Sequence, residues 1–318
     1  MKRFLWLILI VAFFAPAAWA APAIVREPVV CDVTPRSFSV AWVTDVAADP
    51  ALTVYDESGA DITSLVTRTA FPSLSGSQTL VDYAKNAGVM KVRVSGLAPD
   101  TAYAFKAKST ASDQTTTWPA DATVAVRTRT MADLAGASLA PAANDLAMFF
   151  VYRPDMSTAA RGSLVLCEAP GAGHPVSAYV GDGSVGTGAE PGFVLLDLNN
   201  LYDSATGKSL YLSGQAVLTL RALRGNGAMG DELLHYRIME PQTGTARAVP
   251  LTSGYFADIN CDDSVDLLDA TLLTGGWGLA VGDAAYNPDH DMNGDGIVDA
   301  VDSTAFTAEY GKAAPFVD

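Results

Sequence analysis

Between residues 27 and 130, apolar and polar side chains alternate in short runs. Phe38, Val40 and Trp42 are interleaved with Ser39, Ala41 and Val43, and Val92 with Val94 repeats the habit. Tyr103 with Phe105, and Val124 with Val126 and Thr128, do so again. Period two puts successive side chains on opposite faces of an extended chain, so these runs predict strands joined by polar turns. The expectation for 22–130 is an antiparallel β-sandwich. The stretch from Leu65 to Asn86 lacks the alternation and predicts a long loop.

From 131 to 255 the pattern is choppier. Met131 to Pro141 is alanine-rich and predicts a linker. Apolar runs follow at 147–152, 163–167, 176–180, 193–198, 210–212, 216–223 and 233–239. All are short and separated by Gly, Pro, Asp and Asn, which predicts a second β-sandwich. The fold class expected is therefore mainly β and multidomain, with a small helical module at 256–318. A length of 318 residues fits two or three domains at roughly 100–200 residues each.

The first residues change the picture of where the chain works. Lys2 and Arg3 precede an apolar run from Phe4 to Phe14, and Ala18-Trp19-Ala20 offers small residues at both recognition positions of a signal peptidase. That predicts a signal peptide over 1–20, cut after Ala20, and a secreted or surface protein. The run is too short to span a bilayer, and no later apolar stretch is long enough, so no membrane span is expected in the mature chain. Cys31, Cys167 and Cys261 fall in three different predicted domains. Three separate thiols are expected rather than a disulfide scaffold.

Charge sharpens the C-terminal segment. The chain carries 20 basic and 35 acidic residues, a net charge of −15. Residues 256–318 hold twelve Asp and one Glu against one lysine, Lys312. Like-charge repulsion makes nucleic acid an unlikely partner and argues against an anionic membrane.

Those acids recur in register. Asp258, Asn260, Asp262, Val265, Asp266 and Asp269 reappear 33 positions later as Asp291, Asn293, Asp295, Val298, Asp299 and Asp302. Thr271, Thr274, Trp277 and Gly278 match Thr304, Thr307, Tyr310 and Gly311 at the same offset. Calcium takes six to eight oxygens, and a 12-residue loop presents them from positions 1, 3, 5, 7, 9 and 12. The first set is Asp258, Asn260, Asp262, Ser264, Asp266 and Asp269. The second is Asp291, Asn293, Asp295, Ile297, Asp299 and Asp302. Two Ca2+ sites are expected. Gly296 sits at position 6, where the turn favours positive φ. Asp263 replaces that glycine in the first loop, which predicts the weaker site. Val265 and Val298 at position 8 are expected to pair with each other.

Two loops of the form D-x-N-x-D-x-x-V-D-x-x-D, each with one exiting helix, resemble a dockerin module. The resemblance covers about 256–312. It implies helices over about 267–275 and 300–310, and calcium-dependent docking onto a cohesin-like protein partner. It also implies that loop positions 10 and 11, here Leu267, Leu268, Ala300 and Val301, touch that partner. These are apolar, unlike the Ser-Thr pair of many clostridial members.

At the other end, Leu97-Ala98-Pro99-Asp100-Thr101-Ala102-Tyr103 resembles the tyrosine corner of fibronectin type III domains, with Trp42 as the core tryptophan. There the tyrosine hydroxyl bonds back to the turn backbone. The middle domain resembles no known family.

Catalytic chemistry finds no constellation. Glu168, Glu190, Asp197, Asp231, Glu232 and Glu240 show no spacing that singles out a glycosidase pair. His174 and His235 are lone. Gly181-Asp182-Gly183-Ser184-Val185-Gly186 spells G-x-G-x-x-G, but Gly188 and Pro191 follow where a dinucleotide site needs a helix. Tyr179, Tyr202 and Tyr211 are the available platform for a polysaccharide. The expectation is a non-catalytic, secreted docking protein. The alternatives are an accessory of polysaccharide breakdown, by binding or by glycosidic hydrolysis, and a structural surface protein clamped by calcium.

Overall fold

A computed structural model of the protein describes residues 21–74, 77–131, 146–153, 158–181, 192–210, 212, 217–224, 232–237, 247–250, 257, 259, 264–280, 282–283, 285–287, 290–292 and 295–312. The predicted signal peptide, the linker expected after Met131, Cys261 and most of the glycine-rich stretch after Gly181 lie outside them.

Two antiparallel sheets build the first sandwich. Strands β1 (Ile24–Cys31), β2 (Ser37–Thr44), β4 (Thr67–Ala70) and β5 (Val89–Ser95) form one, in the order β1-β2-β5-β4. Strands β3 (Asp49–Tyr55), β6 (Ala102–Ala111) and β7 (Gln114–Trp118) form the other, and β8 (Val124–Arg127) also pairs with β6. The alternation read from β2 is realised. Phe38, Val40 and Trp42 are fully buried and face Val94, Val92 and Met90 across the ladder. The Trp42 indole N–H donates to Ser109 Oγ at 2.8 Å, so its one polar atom is satisfied inside the core. Each such aromatic or aliphatic side chain contributes about 1.5–3 kcal/mol by burial. The tyrosine corner is formed: Ala98 N–H donates to the Tyr103 hydroxyl at 2.9 Å.

The segment expected to be one long loop holds more. It contains β4 and helix α1 (Gln78–Asn86), which buries Leu80 and Ala84. β4 is an edge strand whose Thr67, Arg68, Thr69 and Ala70 are all at least partly exposed. No apolar face is buried there, so no period-two signal exists to read.

The second sandwich pairs two further sheets. Strands β9 (Leu146–Tyr152), β12 (Phe193–Asp197) and β15 (Arg247–Pro250) run in the order β12-β9-β15, with β15 parallel to β9. Strands β10 (Leu164–Glu168), β11 (Val176–Tyr179), β13 (Val217–Leu223) and β14 (Glu232–Arg237) run in the order β11-β10-β13-β14. Phe149, Val151, Val194 and Leu196 from one sheet pack against Val165, Cys167, Leu218 and Leu220 from the other. β15 was not visible as an apolar run; it is four residues long and ends in a proline, which an edge strand tolerates. Cys31 and Cys167 are both free and buried, one in each sandwich.

The C-terminal module has its own core of Ala257, Val265, Leu273, Tyr286, Met292, Val298 and Phe306. Its helices are α2 (Leu267–Gly275) and α3 (Ala300–Glu309). α2 matches the expected span; α3 stops one residue short of Tyr310, whose N–H bonds back to the Phe306 carbonyl. Each helix opens with a capping box, Asp266 with Asp269 and Asp299 with Asp302. Such caps satisfy helix N–H groups that have no partner within the helix.

Candidate calcium and docking site

The two repeats are joined differently from the expectation. Val265 and Val298 do not pair with each other. The Val265 N–H donates to the Lys312 carbonyl at 2.8 Å, and Gly311 N–H donates to the Val265 carbonyl at 2.8 Å. In the other half, Val298 N–H donates to the Leu279 carbonyl at 2.9 Å, and Gly278 N–H donates to the Val298 carbonyl at 2.8 Å. Each loop is therefore stitched to the chain leaving the other repeat's helix. The 33-residue offset is preserved in every partner, so the pairing is reciprocal. Gly278 and Gly311 both hold positive φ, at 79° and 82°, which lets the chain turn back for these bonds. Sequence spacing showed the repeat, but which strand edge meets which is a tertiary matter.

The second loop curls about its first residue. Asp291 is fully buried. Its carboxylate accepts from Asp295 N–H at 3.2 Å, Gly296 N–H at 2.7 Å and the Tyr286 hydroxyl at 2.6 Å. Gly296 has φ +92°, the left-handed geometry expected at position 6. Asp302, also fully buried, accepts from Met292 N–H and Asp299 N–H, both at 2.7 Å. Those two bonds draw the start of the loop to its end. Asp295 and Asp299 each cap their own turn, accepting from Ile297 N–H at 3.0 Å and Val301 N–H at 2.7 Å.

In the first loop, Asp269 is fully buried and accepts from Asp266 N–H at 2.9 Å, while Asp266 accepts from Leu268 N–H at 2.7 Å. Asp258, Asn260, Asp262 and, in loop two, Asn293 lie outside the described residues. Among the described residues no three His, Cys, Asp or Glu side chains gather round one point. The donor set itself is all oxygen, the type a hard cation such as Ca2+ takes. The carboxylates that end each loop, Asp269 and Asp302, are buried at the helix starts.

The expected partner-binding positions are at the surface. Leu267, Leu268 and Val301 are 70%, 60% and 52% exposed, and Ala300 is exposed as well. Of the twelve exposed large apolar side chains among the described residues, seven lie in this module, including Trp277 and Tyr310. Isolated exposed leucines are ordinary, but this concentration in so short a segment is not. Leu267 and Leu268 therefore do not pack between the helices.

Elsewhere the structure redistributes the candidates. Tyr179 and Tyr202 are buried and offer no sugar platform; Tyr211 lies outside the described residues. Glu168 faces Arg221 at 3.8 Å, and Asp197 caps a short 3-10 turn by accepting from Asn199 N–H. His174 packs against Tyr202 with ring centroids 6.1 Å apart, and burial holds its pKa below the ordinary value.

One constellation of reactive residue types went unseen in the sequence because its members are far apart along the chain. Lys91 Nζ lies 2.8 Å from Asp32 and donates to Ser177 Oγ at 2.7 Å. Ser177 Oγ in turn donates to Asp32 at 2.8 Å. Burial, the largest influence, would lower the Lys91 pKa, but the charge and hydrogen bond of Asp32 together with Cys31 raise it above the ordinary value. A lysine held charged cannot serve as the base of a Ser–Lys dyad. The cluster is an ion pair with a bridging hydroxyl.

No family model matches the chain, and no curated protein matches it. Among solved structures it is similar to an N-terminal interface mutant of a type II cohesin–X-dockerin complex from Acetivibrio cellulolyticus. That match is 12% identical and covers 54% of this chain and 98% of that one, with a TM-score of 0.20. It is also similar to the purple acid phosphatase PPD1 of yellow lupin, at 14% identity over 44% of this chain and 23% of that one, with a TM-score of 0.23. The N-terminal Ig1-2 module of the Drosophila receptor protein tyrosine phosphatase DLAR matches at 10% identity over 69% of this chain and 98% of that one, with a TM-score of 0.23. Likenesses this loose add nothing to the β-sandwich architecture that the strands themselves display.

Proposed function

We propose that this chain is an exported, non-catalytic docking protein whose C-terminal module binds a protein partner in a calcium-dependent way. The observation that carries the reading is the exposure of Leu267, Leu268 and Val301 at positions 10 and 11 of the two repeated acidic loops. Asp258, Asn260, Asp262, Ser264, Asp266 and Asp269 would hold one Ca2+. Asp291, Asn293, Asp295, Ile297, Asp299 and Asp302 would hold the other. A bound ion would offset the excess of acidic residues in this segment. The chain's own residues do the rest: the capping boxes start α2 and α3, and the helix starts present the apolar side chains. With thirteen acids and one lysine in the segment, this reading expects a cohesin-like partner that offers an apolar patch rimmed by basic residues.

The test uses the full secreted chain against a panel of immobilised cohesin modules, with Ca2+, with chelator, and with the Leu268→Asp/Val301→Asp variant. Binding seen only by the calcium-loaded wild type supports the reading, provided the variant keeps its circular dichroism melt. A folded, calcium-loaded wild type that binds no cohesin refutes it and leaves an intramolecular clamp. Mass spectrometry of the secreted protein checks export, with a mature N-terminus at Ala21 expected.

A second reading, binding to polysaccharide, rests on Phe150 and Tyr152. They point away from the second sandwich's core, with ring centroids 6.5 Å apart and planes 24° apart. Retardation in polysaccharide-loaded native gels, abolished by Phe150→Ala/Tyr152→Ala, would favour it.

A further inference from the structure

Strand β2 is buried along its whole length, on both faces. Phe38, Val40 and Trp42 fill the first sandwich. The opposite face carries Ser37, Ser39, Ala41 and Val43, with Lys91 beside Ala41 across the ladder. The second sandwich shows the same double burial in β10. Val165 and Cys167 belong to its own core, while Leu164 and Leu166, with Tyr179 and Leu223, belong to the first sandwich's core cluster. Two sheets from different sandwiches thus share one apolar layer.

We propose that the two sandwiches are a single folding unit, and that Asp32, Lys91 and Ser177 are the lock that sets the register between them. Apolar packing resists sliding through shape alone; directional polar bonds also single out one register. Asp32 sits at φ +50°, in the left-handed region. From there its N–H donates to the Pro175 carbonyl at 2.9 Å, and its carboxylate accepts from Ser177 N–H at 2.7 Å. Lys91, 5% exposed, completes the node and lies 5.7 Å from the Tyr179 ring centroid. A slip of one residue, about 3.3 Å along a strand, would break every one of these bonds and leave the ammonium facing apolar side chains. A polar group that fixes register is the best-attested use of a buried ion pair.

Two further points fix the same orientation. The Arg161 guanidinium lies over the Tyr83 ring at 4.7 Å, and Gly162 beside it, at φ +84°, touches the α1 backbone. A Cβ there would stand 2.4 Å from the Tyr83 carbonyl carbon. At the other side, Arg129 lies over the Tyr202 ring at 5.0 Å. Three separated contacts define a plane, so the joint is rigid whatever the linker after Met131 does. The outer face of β2 is consequently no binding platform, and whatever the C-terminal module docks to meets one stiff body.

The test follows hydrogen exchange and calorimetry of the full chain. In the wild type, the Asp32 and Ser177 amides should exchange as slowly as the core amides of β2 and β10, and both sandwiches should melt in one transition. Asp32→Asn removes the only carboxylate that faces Lys91 among the described residues. It should speed exchange at Ser177 by about tenfold or more and split or lower the shared transition. Asp32→Asn/Lys91→Met, with no buried charge left, should recover most of the melting temperature but not the slow exchange at Ser177. Separate wild-type transitions for the two sandwiches, or wild-type Asp32 and Ser177 amides that exchange like loops, would overturn the single unit. An unchanged Asp32→Asn variant would overturn the lock.

Discussion

At the joint between the sandwiches, a carboxylate meets a protein cation: Asp32 lies 2.8 Å from Lys91. In the C-terminal module, Asp269, Asp291 and Asp302 are fully buried, deeper than the part-exposed Asp32, in a segment with thirteen acids and one lysine. Both regions use buried acids to fix geometry. The joint carries its counter-charge within the chain, so its stability is a property of the sequence alone. The module's segment holds one lysine against thirteen acids, so under the proposed function its counter-charge would come from bound Ca2+. Burying a charge without compensation is costly, and the two regions answer that cost in opposite ways.

The largest effect should separate them outright. Chelation of calcium in the full chain is expected to abolish the module's cooperative melt and leave the sandwich transition in place. A calorimetric trace with both transitions unmoved by chelator would erase the contrast.

Gly162→Ala tests the joint from the other side. The added Cβ has no room and the backbone is left-handed, so a loss of about 1–3 kcal/mol is expected. The loss should appear in the sandwich transition only, read by urea denaturation.

Tyr103→Phe should cost less. It removes the acceptor of the Ala98 N–H at the edge of the first sandwich, worth about 1 kcal/mol. The same denaturation series measures it, and joint and module should be indifferent.

The smallest effect is that of pH on the joint. Burial would raise the Asp32 pKa, but the charge of Lys91 and the hydrogen bonds from Lys91 and Ser177 together hold it below the ordinary carboxylate value. Its contribution is therefore present above about pH 4 and lost only as pH falls through the lowered folded value. Lys91, raised above the ordinary lysine value, contributes below about pH 10.5 and loses its share as pH rises through the raised one. Arg93 and Cys31 also face this pair, and Cys31 stays a neutral thiol because burial pushes its pKa up. Between pH 5 and 9 the sandwich melting temperature should be nearly flat. A steep slope in that window would mean that another group governs the joint.

Much of this was legible in the residues. Period two placed β2, β5 and β6, and six of the seven spaced apolar runs placed β9 to β14, while the run at 210–212 forms no strand among the described residues. The resemblance carried by the duplicated loops implied both helices; the aspartate capping boxes that start them are a structural finding. β4, α1 and β15 escaped, since short edge elements bury too little to leave a periodic trace.

What the sequence determined by itself was therefore the local part: strand periodicity, the tyrosine corner, the repeat and the excess of acid. Those follow from spacing and composition along the chain, with no need to know which segments meet. Tertiary structure alone decided three other things. It crossed the repeats, so that Val265 meets Gly311 and Val298 meets Gly278. It buried Tyr179 and Tyr202. It also brought Asp32, Lys91 and Ser177 together from three distant strands and turns. No local pattern encodes such meetings, because they depend on which faces remain apolar after each sandwich has closed.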